Sequence, residues 1–323
     1  MALEDAGREI DRALDPTADR GLAWENAFAG VTSFLRRRYA KDLAGVDVAV
    51  TGIPFDCATT NRPGARFGPR AIREASTLQP FDPPWGWDVD PLSTFTIVDH
   101  GDMAFDYARP AEVPARIEAH ARAILESGAA LLALGGDHSI TGPLLAAHAA
   151  RHGPLGLIQF DAHSDTWPDD DPGRVDHGTF VRKAVKAGLI DPSRSVQIGI
   201  RTSCPDTMGI GVIDARTVHL GDPLEIAAMV RRVVGAGPAY LSFDIDALDP
   251  AFAPGTGTPV WGGLSSAQAG IILRGLAGIR LVGMDVVEVA PAYDHAGITA
   301  IAAAHVATEL LCLWAHHRRF GAR

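Results

Sequence analysis

Apolar and polar positions alternate in two different ways along the chain. Short runs of β-branched and other apolar residues predict eight strands, at Val48–Ile53, Thr94–Val98, Ala130–Leu134, Leu155–Phe160, Ser195–Ile200, Gly209–Ile213, Ala239–Phe243 and Arg280–Val287. Longer stretches with helical periodicity predict helices at Pro110–Glu126, Ile140–His152, Gly178–Ala187, Leu224–Val234, Ser266–Leu276 and Thr299–Ala315. Strands that alternate with helices are typical of a parallel sheet with helices on both faces.

This alternation predicts the α/β class, as a three-layer α/β/α sandwich with a mostly parallel central sheet of about eight strands. A chain of 323 residues can form one large α/β domain or two smaller ones. The sequence contains no internal repeat, and we predict a single domain over residues 1–323. Residues 1–45 are rich in Arg and Asp, and we expect this N-terminal extension to pack on the domain or on a neighbouring subunit.

Composition narrows the class of protein further. Apolar residues make up 47% and charged residues 21%, as in a soluble globular protein, and the apolar runs are too short for a membrane span. The acidic N-terminus lacks the pattern of a secretory signal, and three scattered cysteines suggest no disulfide framework. We therefore expect a cytoplasmic location. The net charge of −10 argues against nucleic acid as a partner and is compatible with a small cationic substrate.

Ionisable side chains follow four of the predicted strands, at the point where each strand ends. The segments read Gly-Gly-Asp-His-Ser at 135–139, Asp-Ala-His-Ser-Asp at 161–165, Asp-Ile-Asp at 244–246 and Asp-Val-Val-Glu at 285–288. In open parallel sheets, ligands bind at the carboxyl ends of the strands. Alternate residues of a strand point to one side, so Asp161, His163 and Asp165 can line one wall of a site. Asp244 and Asp246 can line another.

Together with His138, these positions offer four carboxylates and two imidazoles to one place. Without cations, such a cluster would suffer strong like-charge repulsion and desolvation. Six ligands exceed the three or four protein ligands of a single catalytic zinc ion, and they suit two ions that share bridging carboxylates. A ligand set that is rich in oxygen and lacks cysteine favours manganese over zinc. The pattern therefore predicts a two-metal site.

A site of this kind suits a hydrolysis. Two divalent ions and four aspartates leave roughly no net charge, and a bridging hydroxide makes the site negative enough to attract a cationic substrate. Guanidinium is such a cation, but resonance makes it a poor electrophile. Its hydrolysis needs hydroxide, an acid that protonates the leaving amine and a carboxylate that orients the guanidinium. His177 is a candidate for the acid, and Glu288 is a candidate for the carboxylate.

The motifs, in this order, closely resemble those of the ureohydrolase (arginase–agmatinase) family. Besides the strand-end segments, they include Ser-Phe-Asp-Ile-Asp-Ala-Leu-Asp-Pro at 242–250, Arg-Pro-Gly-Ala-Arg-Phe-Gly-Pro-Arg at 62–70 and Pro-Gly-Thr-Gly-Thr-Pro at 254–259. Each motif alone is weak evidence, whereas the ordered set is specific. The resemblance covers roughly residues 48–313. It implies an arginase-like fold, two Mn²⁺ per subunit and a homo-oligomer, either a trimer or a hexamer.

The resemblance also implies a role for each matching residue. One manganese would take four ligands, His138, Asp161, Asp165 and Asp244. The other would share two of them as bridging ligands and complete its shell with His163 and Asp246; the shared pair is Asp161 and Asp244. Asp165 would also bond the hydroxide and help to pass its proton. His177 would be the proton shuttle, and Glu288 would contact the guanidinium.

Residues 166–176 differ from the corresponding stretch of arginases, which uses Asn and Ser to bind the α-amino and α-carboxylate groups of their substrate. Here the stretch reads Thr-Trp-Pro-Asp-Asp-Asp-Pro-Gly-Arg-Val-Asp. Its acidic character would repel a carboxylate and tolerate a second cation, so Trp167, Asp169 and Asp170 are candidate contacts to the substrate tail. Agmatine, a guanidinium joined to a butyl-ammonium tail, fits this charge pattern. We therefore expect hydrolysis of agmatine to putrescine and urea, a polyamine-forming reaction.

Other functions are compatible with parts of the pattern. An enzyme of the same family could act on another guanidino compound, as a guanidinobutyrase, a guanidinopropionase or an arginase. A metal-binding scaffold without turnover would not need His177. A deacylase resembling histone deacetylases would use one zinc ion, and the full two-metal ligand set speaks against it.

Overall fold

Eight strands form one sheet in the computed structural model, which describes residues 28–321 apart from 82, 170, 172 and 205. The strands are β1 (Val48–Ile53), β2 (Ile97–Asp102), β3 (Ala130–Gly135), β4 (Gly156–Phe160), β5 (Val196–Ile200), β6 (Gly211–Asp214), β7 (Ala239–Asp244) and β8 (Leu281–Val287). Their order is β2-β1-β3-β8-β7-β4-β5-β6, and every neighbouring pair is parallel. The predicted α/β class and sheet of about eight strands are confirmed.

The described α-helices lie around this sheet. They are α1 (Gly68–Ser76), α2 (Pro91–Thr94), α3 (Val113–Glu126), α4 (Thr141–His152), α5 (Phe180–Lys186), α6 (Ala215–Leu220), α7 (Pro223–Val234), α8 (Ser266–Gly275) and α9 (Ile298–Phe320). The six predicted helices are present, whereas α1, α2 and α6 are additional. The pattern misses α1 because its buried residues include Gly68, Pro69 and Arg73, with Ile72 as the one large aliphatic side chain among them. The second predicted strand begins later than expected because Thr94 ends α2.

Alternate side chains of the strands fill two separate cores, one on each face of the sheet. In β3, Leu132 and Leu134 point to the face that α7, α8 and α9 cover, while Leu131 and Ala133 point to the face that α3, α4 and α5 cover. All four are fully buried. A sheet that buries both faces in this way explains why its strands read as nearly continuous apolar runs.

Helix α9 is a core helix. Its length and apolar composition would be enough to cross a membrane, but 72% of its most apolar 18-residue window is buried inside the protein. Trp314 and Leu310, for example, pack in the core beneath the sheet. The apolar character of α9 is therefore accounted for by packing against the sheet.

The predicted N-terminal extension, residues 1–45, lies partly outside the described residues. Its described part packs on the domain: Phe34 and Leu35 are fully buried. The backbone amide of Phe34 donates to Asp99 Oδ2 at 2.8 Å, and that of Leu35 donates to Ser76 Oγ at 2.8 Å. A contact between the extension and a neighbouring subunit stays a prediction.

Candidate active site

The four strands that end in ionisable residues are neighbours in the sheet, in the order β3-β8-β7-β4. Their carboxyl ends therefore meet at one place, as the strand-end rule predicts. The segments after β3 and β7 continue as single turns of 3-10 helix, which hold His138 and Asp246 close to the strand ends. All six predicted metal ligands lie together at this edge.

One group of ligand atoms surrounds His138. Its Nδ1 lies 3.0 Å from Asp161 Oδ2, 3.1 Å from Asp165 Oδ2 and 3.1 Å from Asp244 Oδ2. The ring is buried, and it packs 4.5 Å from the ring of Phe180, measured between centroids. The second group lies around His163, whose Nδ1 is 3.4 Å from Asp161 Oδ1 and 3.1 Å from Asp246 Oδ2.

The residues fit two cations. Within each of two groups, His138–Asp161–Asp165 and Asp161–His163–Asp246, one ligand atom of every residue lies within 4.8 Å of the others. Nδ1 of His138 is buried and makes no hydrogen bond, although three carboxylate oxygens surround it. A ring nitrogen and three carboxylate oxygens that converge on one place offer the lone pairs that a metal ion takes once the ring has lost its extra proton. The donors are nitrogen and oxygen, as borderline and hard divalent ions prefer.

The electrostatics of the cluster indicate an excess of buried negative charge. Burial raises the pKa of Asp165 to about 7, and the charge of Asp161 adds to this shift. The pKa of Asp244 lies well above its usual range, because of burial and then because of Asp246 and Asp161. Burial opposes protonation of His163, but Asp246 and Asp161 outweigh it and raise its pKa to about 12. In the metal-free protein, bound protons thus neutralise part of the negative charge that metal ions would otherwise neutralise.

This protonation gives the first prediction, which concerns proton release. The pKa values of His138 and His163 are raised, so both rings carry an extra proton at pH 7.5 and must lose it to bind a metal. Asp244, whose pKa is also raised well above its usual range, adds to these protons, so we expect Mn²⁺ binding to release at least about two protons per subunit and to strengthen as pH rises. Calorimetric titrations in buffers of different ionisation enthalpy measure this number. Equal binding enthalpies in phosphate and Tris would contradict it, and His163→Asn should release fewer protons than the wild type.

Two residues of the site have backbone conformations that non-glycine residues rarely adopt. Asp165 has φ of 51° and Glu288 has φ of 64°. Such strain persists only where the surrounding structure imposes it, and it is frequent at functional sites. Both residues belong to the cluster of ionisable side chains at the carboxyl edge of the sheet.

His177 and Glu288 lie against each other beside the cluster. His177 Nδ1 donates to Glu288 Oε1 at 2.8 Å, and the same oxygen accepts from the backbone amide of His138 at 2.9 Å. The other oxygen, Oε2, is buried and has no hydrogen-bond partner among the described residues. Glu288 is only 1% exposed, so this oxygen is a buried acceptor without a partner among the described side chains and backbone.

Two influences on the His177 ring oppose each other. Burial disfavours its charged form, but Glu288 and nearby carboxylates outweigh burial and raise its pKa to about 9. The backbone amide of Thr60 lies 3.2 Å from Nε2 and donates to it, which favours the neutral ring. The hydroxyl of Thr60 also lies 3.0 Å from Nε2. His177 can thus hold or release a proton at Nε2, as a proton shuttle requires.

The candidate tail residues differ in their surroundings. Trp167 is 42% exposed, and its backbone amide donates to the carbonyl of Gly178, next to His177. The carboxylate of Asp169 forms an ion pair with Lys183 Nζ at 2.8 Å, so its charge is already partnered. Asp170 lies outside the described residues. The acidic stretch is therefore less negative than its sequence suggests.

Several polar residues of the site are missing from the sequence prediction. Thr60 contacts His177, and Gln159, Ser242 and Asp285 hydrogen-bond the metal ligands or one another from inside the sheet. One signal for Gln159 is visible in the sequence, because a glutamine interrupts an otherwise apolar strand. Thr60 has no comparable signal, since it lies in a loop whose path is set by the fold.

Comparisons with known proteins agree with this geometry. The arginase family model matches residues 46–312. An agmatinase from Chromobacterium violaceum is 54% identical over 294 residues, which cover 91% of each chain. A solved structure of a hypothetical agmatinase from Burkholderia thailandensis is 56% identical, with a TM-score of 0.91, and the match covers 95% of this chain and 99% of that one.

A third relative broadens the range of known activities. The proclavaminate amidino hydrolase from Streptomyces clavuligerus is 40% identical, with a TM-score of 0.84, and the match covers 90% of this chain and 99% of that one. The family match spans the strands, the ligand cluster and the His177–Glu288 pair together. The chain is a ureohydrolase and belongs to the arginase family.

Proposed function

We propose that this protein is an agmatinase, which hydrolyses the guanidinium group of agmatine to putrescine and urea with two Mn²⁺ per subunit. The observation that carries the proposal is the pair of ligand groups that share Asp161, with the His177–Glu288 pair beside them. Relatives named agmatinases at 54% and 56% identity support the choice of substrate.

Each metal position would be built from residues of the cluster. His138, Asp161, Asp165 and Asp244 would hold one ion, and His163, Asp161, Asp244 and Asp246 the other. When bound, two divalent ions lower the pKa of water and so supply a nucleophile at neutral pH. Their charge would also replace the protons that the metal-free cluster holds.

Glu288 would bind the guanidinium. Its Oε2 has no partner among the described residues, and a guanidinium donates hydrogen bonds in a fork that a carboxylate accepts well. Because Oε1 is held by His177 and by the backbone of His138, the free oxygen has a fixed direction. A substrate bound there would place its central carbon between Glu288 and the ligand cluster.

Asp165 and His177 would move the protons of the reaction. Water adds to the guanidinium carbon with loss of one proton, the bond from this carbon to the alkyl-bearing nitrogen breaks, and that nitrogen leaves as an amine. The remaining hydroxyl proton passes to the departing amine, so that urea and an ammonium ion are the products. Asp165, whose Oδ2 lies in the ligand cluster 3.1 Å from His138 Nδ1, would accept the proton of the attacking water. His177 would deliver a proton from Nε2 to the leaving nitrogen, and solvent at the open side of Thr60 would restore it.

Substrate choice gives the second prediction. The net charge of −10 and the acidic stretch disfavour a carboxylate on the substrate tail, so we expect kcat/KM for agmatine to exceed that for 4-guanidinobutanoate by on the order of 100-fold, or about 2.7 kcal/mol. Urea release from agmatine, arginine, 4-guanidinobutanoate and 3-guanidinopropanoate by the Mn²⁺-loaded enzyme measures this ratio.

Another guanidino compound remains the alternative substrate. The ion pair between Asp169 and Lys183 removes one negative charge from the stretch that would face the tail, and one relative is a proclavaminate amidino hydrolase. Faster urea release from a guanidino acid than from agmatine would overturn the assignment to agmatine. A homo-oligomer in the cytoplasm stays part of the proposal, and light scattering on the purified protein measures the oligomer.

A further inference from the structure

A row of polar residues crosses four neighbouring strands, just below the ligand cluster. Backbone pairing places Gln197 of β5 beside Gln159 of β4, Gln159 beside Ser242 of β7, and Ser242 beside Asp285 of β8. We call these four residues the polar row. Each is 0% exposed, in a sheet whose other buried side chains are mostly apolar. Buried polar groups at four consecutive pairing positions need a reason beyond packing.

Gln159 connects one half of the row to the ligands. Its side-chain amide donates to Asp161 Oδ2 at 2.7 Å and to Asp165 Oδ2 at 3.2 Å. Gln197 fixes this direction, because its own amide donates to Gln159 Oε1 at 2.7 Å and leaves only the NH₂ group to face the carboxylates. Gln197 is in turn held by the carbonyl of Ser164. Two ligand carboxylates are thus oriented by one anchored amide.

Ser242 connects the other half of the row to His138. Its hydroxyl donates to Asp285 Oδ1 at 2.6 Å, so its oxygen can accept from His138 Nε2, which lies 2.8 Å away. The other oxygen of Asp285 accepts at 2.8 Å from both Tyr240 and Thr141. Because Nε2 then carries a proton, the lone pair for a metal lies on Nδ1, the atom that faces three carboxylates.

The two metal positions differ in the hydrogen bonds that the polar row makes to their ligands. Both halves of the polar row end on atoms of the His138 position. These are the His138 ring, Asp165 Oδ2 and Asp161 Oδ2, the oxygen of this shared ligand that faces His138; its other oxygen, Oδ1, faces His163. Around the other position, His163 has a side chain that is 23% exposed, and Asp246 accepts from the backbone of Ala162 at 3.1 Å and from Thr258 Oγ1 at 3.3 Å. No hydrogen bond from the row to His163 or Asp246 occurs within the described part of the chain.

We propose that the polar row is a positioning layer for the His138 metal position, and that disrupting it releases the ion at this position while the His163 position stays filled. The inference rests on the proposed two-metal function. The row would act by holding the ligand atoms in place before metal arrives, since oriented ligands lose less freedom on binding.

Ser242→Ala and Gln159→Leu test the proposal from the two halves of the row. We expect the apparent affinity for one of two Mn²⁺ ions to fall by about 10–100-fold. At low free Mn²⁺ each variant should then hold one ion per subunit, measured by metal analysis, and its electron paramagnetic resonance spectrum should change from that of a coupled pair to that of an isolated ion. Excess Mn²⁺ should restore most of kcat.

Two further variants separate positioning from a general loss of structure. Ser242→Thr keeps the hydroxyl and should keep both ions. Ser195→Ala removes another hydroxyl that is 0% exposed, one that bonds Asp191 and Leu157 away from the ligands, and it should also keep both ions. Thermal unfolding of all four proteins shows whether each remains folded.

The outcomes distinguish this inference from the proposed function. If the wild type binds two ions and Ser242→Ala and Gln159→Leu bind two with unchanged affinity, the positioning role is refuted and the two-metal function stands. Loss of both ions together in these variants would also refute it, because the effect would not be selective. A wild type that binds no Mn²⁺ and releases no urea would refute the proposed function, and this inference with it.

Discussion

Replacing Asp161 by asparagine should remove urea release almost completely, by on the order of 1,000-fold or more, which corresponds to about 4 kcal/mol. The reason is geometric: one oxygen of Asp161 lies 3.0 Å from His138 Nδ1, and the other lies 3.4 Å from His163 Nδ1. The side chain thus faces both proposed metal positions. Asparagine keeps its shape but cannot offer two anionic oxygens, so metal content should fall for both ions at once.

A matched control makes this result specific. Asp222→Asn makes the same chemical change at the exposed cap of α7, where asparagine caps a helix as well as aspartate does. This variant should keep its metal content and its activity. Metal analysis and urea release on both variants, at equal free Mn²⁺, provide the measurement. Normal activity in Asp161→Asn would show that the shared-ligand arrangement is wrong.

The sequence alone predicts the sheet well, for a physical reason. Strands buried on both faces are continuous apolar runs, and the Gly-Pro pairs at 153–154 and 237–238 mark where two of them begin. The rule that ligands bind at the carboxyl ends of parallel strands then places the motifs after β3, β4, β7 and β8 together. The four strands are adjacent in the structure, so the local motifs become one cluster without further assumptions.

Contacts between distant segments are what the sequence does not predict. Lys183 pairs with Asp169 because α5 returns next to the acidic stretch, and no spacing rule signals this. The alignment of Gln197, Gln159, Ser242 and Asp285 depends on strand order and register, which become known only in three dimensions. Helix α1 is missed for a different reason, because glycine, proline and arginine on its buried face hide its periodicity.

The His177–Glu288 pair should matter for the reaction and not for metal binding. His177→Asn should lower kcat for urea release by about 100- to 1,000-fold, because a positioned proton donor contributes a factor of this order. Metal content should stay at the wild-type value, since His177 bonds Glu288 and Thr60 and none of the six proposed ligands. The pH profile should also change: the alkaline decrease in activity that follows loss of the His177 proton should disappear.

A second histidine provides the control for this prediction. His305 is exposed on α9, on the opposite face of the sheet from α5, and His305→Asn should leave kcat and the pH profile unchanged. Steady-state urea release across pH, together with metal analysis, compares the two variants. If His177→Asn lost its metal as well as its activity, His177 would belong to the metal site. If it kept full activity with both ions bound, the leaving amine would take its proton from another donor.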